Sequence, residues 1–250
     1  MILKSEKVVS TPWFASWFDT SYYHTLYKHR NDDEAHFFMD NLVNLLNPSK
    51  DSAILDLACG RGRHSVYLFN KGFEVIGIDL SKESISFAQQ FEEQRLKFFT
   101  HDMRAPFNGR KFDYIFNLFT SFGFFDNNAD HQKTLNNISE ALQPNGTFVI
   151  DFLNVEYVRK GLIPLEQKVI DGITFNIKRF IKDGFIIKQI SFQADGSDWS
   201  FEERVRGFSK DELLNMITKS GLGIENTFGN YQLEAFDEMN SERMIIVAKK

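Results

Sequence analysis

The chain has 250 residues, 42% hydrophobic and 25% charged, with a formal net charge of −5. That length supports a substantial core in one or one and a half domains, and the acidic balance disfavours nucleic acid as a partner because it offers no broad cationic surface. With one cysteine, no apolar run of membrane-spanning length and no secretory leader in Met1-Ile2-Leu3-Lys4-Ser5-Glu6-Lys7, the reading is a cytoplasmic chain with no internal disulfide and no membrane partner.

In chain order, residues 13 to 30 are dense in aromatics, with Trp13, Phe14, Trp17, Phe18, Tyr22, Tyr23 and Tyr27 before Arg30. This leader reads as a lid or a packed cap. Residues 33 to 46 place Phe37, Phe38, Leu42, Val43, Leu45 and Leu46 at helical spacing and stop at Asn47-Pro48. Strands are predicted at 53–57, 74–78, 96–100, 114–118 and 147–153. Between them, helices are predicted from about 62 to 72, from the Ser81 cap to about 93, and over 130–142. Apolar strands alternating with helices at these lengths specify a doubly wound α/β fold with a mostly parallel sheet covered on both faces.

The pattern changes at residues 165–207, where apolar and polar residues alternate and Asp183-Gly184 makes a hairpin turn. Ser209-Lys210-Asp211-Glu212 opens a further helix with a capping box, and strands follow at 223–228 and 243–248. The expected units are 1–46, an aromatic lid and leading helix; 47–164 with 208–250, the main domain; and 165–207, an inserted antiparallel sheet covering the acceptor.

Two segments carry the chemistry. Ile54-Leu55-Asp56-Leu57-Ala58-Cys59-Gly60-Arg61-Gly62-Arg63-His64-Ser65 joins a strand-end acid to two close glycines, and Ile76-Gly77-Ile78-Asp79-Leu80-Ser81 ends the next strand on a second acid. Glycines allow the backbone to approach a ligand, and a strand-end carboxylate accepts from two adjacent ribose hydroxyls. Cys59 reads as a small residue in that loop. The dinucleotide fingerprint needs a third glycine where Ser65 stands, which weakens an NAD-dependent oxidoreductase as the alternative.

Both segments resemble the cofactor motifs of class I S-adenosylmethionine-dependent methyltransferases. The resemblance implies a Rossmann-like seven-stranded sheet whose last strand is antiparallel, with S-adenosyl-L-methionine as cofactor. By the same resemblance Asp56 orders the glycine loop and reaches the methionine ammonium, Ala58, Cys59, Gly60 and Gly62 curl beneath the cofactor, Asp79 holds the ribose, and Leu80 lies against adenine. Asp102 accepts from the adenine amine and Met103 offers its backbone amide. Asn117-Leu118-Phe119-Thr120-Ser121-Phe122-Gly123-Phe124-Phe125 resembles a segment of bacterial small-molecule methyltransferases, including enzymes that dimethylate amino sugars. Asn117 and Leu118 then belong to the cofactor site, and Ser121 and Phe124 to the acceptor site. The sugar enzymes often carry histidine where Phe124 stands, a departure that weakens the transfer of their substrate or of a histidine base. In this resemblance Arg30 pairs with the cofactor carboxylate.

Methyl transfer from a sulfonium is an in-line displacement, so alignment and water exclusion dominate and no metal is required. Tyr23 and Tyr27 are the leader residues expected to close over the sulfonium, each with cation–π attraction of about 0.5–2 kcal/mol. Tyr22, Tyr23 and His131 are the catalytic candidates, Tyr22 and His131 as bases, and Arg206 is the candidate acceptor-recognition charge. The six histidines lack chelating spacing. The expected partner is a small-molecule acceptor methylated on N or O, and the chain is a monomer or homodimer. A non-catalytic cofactor-binding module, and RNA or protein methylation, stand as further alternatives.

Overall fold

The computed structural model describes residues 17–28, 32–107 and 109–250, so Trp13, Phe14, His29 and Arg30 of the leader lie outside the described residues. Helix α1 (Ser21–Leu26) and helix α2 (Asp32–Leu46) precede β1 (Ala53–Leu57), α3 (Arg63–Asn70), β2 (Glu74–Asp79), α4 (Lys82–Ala88) and β3 (Leu96–Thr100). Then come β4 (Phe112–Asn117), α5 (Asn128–Ala141), β5 (Leu142–Leu153) and α6 (Val155–Gly161). Strands β6 (Leu165–Ile170), β7 (Ile173–Lys182), β8 (Phe185–Ala194) and β9 (Ser197–Arg206) follow, then α7 (Lys210–Lys219), β10 (Gly223–Phe228) and β11 (Arg243–Lys249).

Seven strands form one sheet in the order β10-β11-β5-β4-β1-β2-β3, and β11 runs antiparallel to both of its neighbours. The chain winds outward from β1 through β2 to β3, then returns to lay β4 on the other side of β1. This reversal opens a crevice at the carboxyl ends of β1 and β4, where doubly wound sheets bind ligands. One face of the sheet packs against α5 and α7 through Leu135, Ile138, Leu213 and Ile217. The other packs against α2, α3 and α4 through Phe38, Leu42, Leu68 and Ile85. The alternation of strands and helices in the sequence has this physical basis: strands covered on both faces are apolar throughout, as β11 is from Met244 to Ala248.

Helix α4 ends earlier than its pattern predicts. A short 3-10 turn at Gln89–Phe91 follows it, and Glu92 turns back so that its carboxylate accepts from the Phe98 N–H at 2.9 Å. Side-chain bonding from Glu92 and Gln89 to β3 diverts the chain into the next strand before another helical turn forms.

The inserted segment is a four-stranded antiparallel meander, β6-β7-β8-β9. Its three hairpins close at Asp171-Gly172, Asp183-Gly184 and Asp195-Gly196, with positive φ at both residues of each turn, the primed geometry that matches strand twist. The sequence reading recognised the middle turn alone. A third core joins Trp17 and Leu26 of the leader to Phe175, Ile177, Ile190 and Phe192 of this sheet. The described part of the leader thus shares a core with the inserted sheet rather than with the leading helix, with which the sequence reading grouped it.

Candidate functional site

The loop after β1 is built to be approached. Ala58, Gly60 and Gly62 all have positive φ, at 62°, 56° and 82°, so the backbone curls tightly from β1 into α3. The two glycines serve different ends. A Cβ on Gly62 would lie 2.7 Å from the ring of Phe98, which is fully buried, so this position needs a glycine for packing as well as for backbone angle. On Gly60 a Cβ would meet nothing within 4 Å. Gly60 lines a cavity of about 920 Å³.

Asp79 closes the other side of the loop. One carboxylate oxygen accepts from the Gly60 N–H at 2.9 Å and the other from the Ser81 N–H at 2.8 Å. Burial pushes its carboxyl above the ordinary range, against the pull of those two amides. Each oxygen retains a lone pair for a further donor. Leu80, Met103 and Leu118 give the cavity apolar walls next to this carboxylate. Cys59 also lines it, and burial pushes its thiol well up from its usual range.

Across the cavity stand Phe18, Tyr23 and Tyr27 of the leader, Ser121, Phe124 and Phe125 of the loop after β4, and Glu203 and Val205 of β9. In the β4 loop, Phe119 and Thr120 carry positive φ of 56° and 59°, an arrangement that costs non-glycine residues about 1–3 kcal/mol each and needs outside support. Asp151, at the carboxyl end of β5 and fully buried, supplies that support. Its carboxylate accepts from the Phe119 N–H at 2.8 Å, and its carbonyl accepts from the Thr120 N–H at 3.0 Å. Arg243 donates to Asp151 at 2.7 Å and to the Thr120 hydroxyl at 2.8 Å, while the Tyr231 hydroxyl donates to Asp151 at 3.3 Å. His64 stacks on Phe119 with ring centroids 4.9 Å apart, and burial pushes its imidazole down to about 3, so it stays neutral.

The profile of the family described as "Methyltransferase domain" matches residues 48–220. The chain belongs to this methyltransferase family. A glycine/sarcosine N-methyltransferase of Halorhodospira halochloris is 34% identical over 76% of this chain and 82% of its own length. YqeM of Bacillus subtilis is 41% identical over 39% of this chain and 41% of its own, so the chain spans less than half of that relative. Among solved structures, a sugar N-methyltransferase from Streptoalloteichus sp. superposes with a TM-score of 0.76 at 17% identity, covering 100% of this chain and 98% of its own, a likeness of fold. Membership in the methyltransferase family sets aside the oxidoreductase reading.

Within this methyltransferase, Tyr23, Tyr27, Ala58, Cys59, Gly60, Asp79, Leu80, Asp102, Met103, Leu118, Ser121 and Phe124 come together around one cavity. Gly62 lies beneath the loop against Phe98. Asp56 is turned inward: buried under the loop, it accepts from the Ser65 hydroxyl at 2.6 Å and does not line the cavity. Burial lifts its carboxyl to about 6, and its bond from Ser65 ties α3 to β1. Asn117 is likewise beneath the site, donating to the Leu57 carbonyl at 3.0 Å. Asp102 is forked by Arg104 at 2.6–3.1 Å; burial raises its carboxyl, but the guanidinium outweighs that and leaves it below its ordinary value.

Three further candidates fall outside the cavity. Tyr22 faces the inserted sheet, where its ring packs on Phe192 and Trp199 and its hydroxyl donates to Asp195 at 2.6 Å. His131 is fully buried in a box of Phe122, Phe125 and Phe208, and burial pushes it down to about 4, away from any base role in the cavity. Arg206 points away, donating to the Asp183 carbonyl at 3.3 Å and pairing with Glu212 at 3.5 Å. The reason is register: inward positions on β9 are 201, 203 and 205, and a shift of one residue reverses the face. Sequence reasoning therefore missed Glu203, although the apolar phase Phe201-x-x-x-Val205 marks it. It also missed Asp151, Tyr231 and Arg243, which lie far apart in sequence and share no motif.

Proposed function

We propose that this chain is an S-adenosyl-L-methionine-dependent methyltransferase acting on an N or O atom of a small metabolite. The observation that carries the cofactor reading is the open cradle at Gly60, facing a carboxylate that two backbone amides hold in place. Asp79 would accept the ribose hydroxyls, Leu80 and Met103 would flank the base, and the loop from Ala58 to Gly60 would lie under the amino-acid part. When bound, the cofactor supplies an electrophilic methyl group on a sulfonium. The protein's part is to orient the acceptor and keep water away, which the aromatic wall of Phe18, Tyr23, Tyr27 and Phe124 is suited to do.

A cavity of about 920 Å³ lies near the upper end for small-molecule sites, which supports a cofactor and a modest acceptor together rather than a polymer. The acidic net charge points the same way. The test is incubation with S-adenosyl-L-methionine and a panel of small amines and alcohols, read by mass spectrometry for S-adenosylhomocysteine and for an acceptor gain of one methyl. Turnover on small acceptors supports the reading. Cofactor binding without turnover on any of them, together with methylation of RNA or protein, would overturn the acceptor class.

A further inference from the structure

We infer that Glu203 is the specificity-determining residue of the acceptor site and that it selects an acceptor carrying a cationic amine. The inference rests on the methyltransferase reading above and narrows the acceptor to a molecule that carries an ammonium group, whichever of its N or O atoms takes the methyl.

Position comes first. Val205 lies against Gly123, where an added Cβ would come within 3.1 Å of the valine, so the inner face of β9 abuts the loop that carries Phe124. Glu203 is two residues along the same face, roughly 7 Å farther out, and lines the cavity with Phe18 and Phe124, whose rings are 5.6 Å apart. The neighbouring charges on β9 leave the site: Arg204 pairs with Asp126 at 3.3 Å, and Arg206 pairs with Glu212. Of the other carboxylates lining the cavity, Asp79 is held by the cofactor loop, Asp102 is forked by Arg104, and Asp32 and Glu34 are exposed. Among the described residues Glu203 is the cavity-lining carboxylate on the inserted sheet, with its side chain 16% exposed.

Valence comes second. The Trp17 indole N–H donates to Glu203 at 2.8 Å, and the Tyr27 hydroxyl reaches its two oxygens at 2.6 and 2.8 Å. A phenol has one proton, so these groups supply two hydrogen atoms to a carboxylate with about four acceptor directions. Among the described residues the cation paired with Glu203 is Lys188, 3.7 Å away, beyond the 2.7–2.9 Å of a close charge-assisted bond, and it donates to the Tyr27 hydroxyl. A carboxylate with spare acceptor capacity, in a cavity also lined by Phe18, Tyr23 and Phe124, matches an ammonium group, while the Tyr27 ring already carries Lys188 over its face at 4.4 Å. A neutral hydroxyl gains little from the charge or from the rings.

The test uses the full chain saturated with S-adenosylhomocysteine, titrated by calorimetry with cyclohexylamine and with cyclohexanol, which differ in an ammonium against a hydroxyl. Saturation with S-adenosylhomocysteine is measured first, so failure of the cofactor reading appears there. The wild type is expected to bind the amine about 10- to 100-fold more tightly than the alcohol, the range of one charge-assisted bond. E203Q, which keeps size and an acceptor oxygen, should lose most of that gap while binding S-adenosylhomocysteine normally. K188M supplies a second variant that leaves the carboxylate in place. With its rival cation removed, Glu203 should bind the amine several-fold more tightly, whereas a purely structural Glu203–Lys188 pair gives no gain. Equal affinities in the wild type, a full gap in E203Q, weaker amine binding in K188M, or no saturable amine binding to the loaded protein would overturn the inference.

Discussion

Gly60 and Gly62 are one residue apart in the same loop, and the structure gives them opposite failures on substitution by alanine. Both have positive φ, a conformation that costs an L-residue roughly 1–2 kcal/mol. At Gly62 the new methyl also meets Phe98 at 2.7 Å and Ala88 at 3.2 Å, both buried, and overpacking of this kind adds about 1–3 kcal/mol. Gly62→Ala should therefore lose about 2–5 kcal/mol, or roughly 4–20 °C in Tm for a chain of this size. Gly60→Ala meets no atom, so its loss should stay near the backbone strain alone, about 2–8 °C. Its methyl instead enters the cofactor cradle and should weaken S-adenosylhomocysteine tenfold or more, about 1.4 kcal/mol. Thermal melts with and without ligand, paired with calorimetry, separate the two effects. Wild-type binding by Gly60→Ala, or a Gly62→Ala that melts no lower than Gly60→Ala, would rule out these separate roles for the two glycines.

Other expectations follow from the same geometry. Asp56 is held up to about 6 from an ordinary 3.8, so the folded state binds its proton more tightly than the unfolded chain does. Stability from this group is full below pH 3.8 and is lost as pH rises through 6, on the order of 3 kcal/mol. Asp56→Asn should accordingly melt higher than wild type at pH 7.5, with the difference shrinking toward pH 4; an equal difference at both pH values would show that the carboxyl is not raised. Arg243→Met leaves buried Asp151 without its cation and should cost about 3–5 kcal/mol in urea unfolding, and a loss under 1 kcal/mol would contradict the anchoring of the β4 loop. Tyr22→Phe should leave methyl transfer within about threefold of wild type, since the ring stays packed and one exposed hydrogen bond is lost; a hundredfold fall would return Tyr22 to the reacting groups.

Much of the cofactor half was legible because its constraints are local. Gly60, Gly62 and Asp79 must sit at fixed spacing around one loop, and the strand and helix periods that frame them are strong. The acceptor half was less legible. In Phe201-Glu202-Glu203-Arg204-Val205-Arg206 four charges blur the alternation, and the phase was resolved when pairing with β8 and contact with Gly123 fixed the inward face. His131 reads as a base in sequence and is a neutral core residue in space, because Phe122, Phe125 and Phe208 reach it from separate elements. Asp151, Tyr231 and Arg243 meet through the adjacency of β5 and β11, which no local pattern encodes.

The central claim is that the cavity between Gly60 and Asp79 holds S-adenosyl-L-methionine, and its most direct test is calorimetric titration of S-adenosylhomocysteine into the wild type and into Asp79→Ala. Saturable binding at one site per chain is expected, weakened in the variant by roughly 2–4 kcal/mol through loss of two charge-assisted bonds that water offsets in part. Absence of saturable heat from the folded wild type, or an unchanged affinity in folded Asp79→Ala, would contradict it.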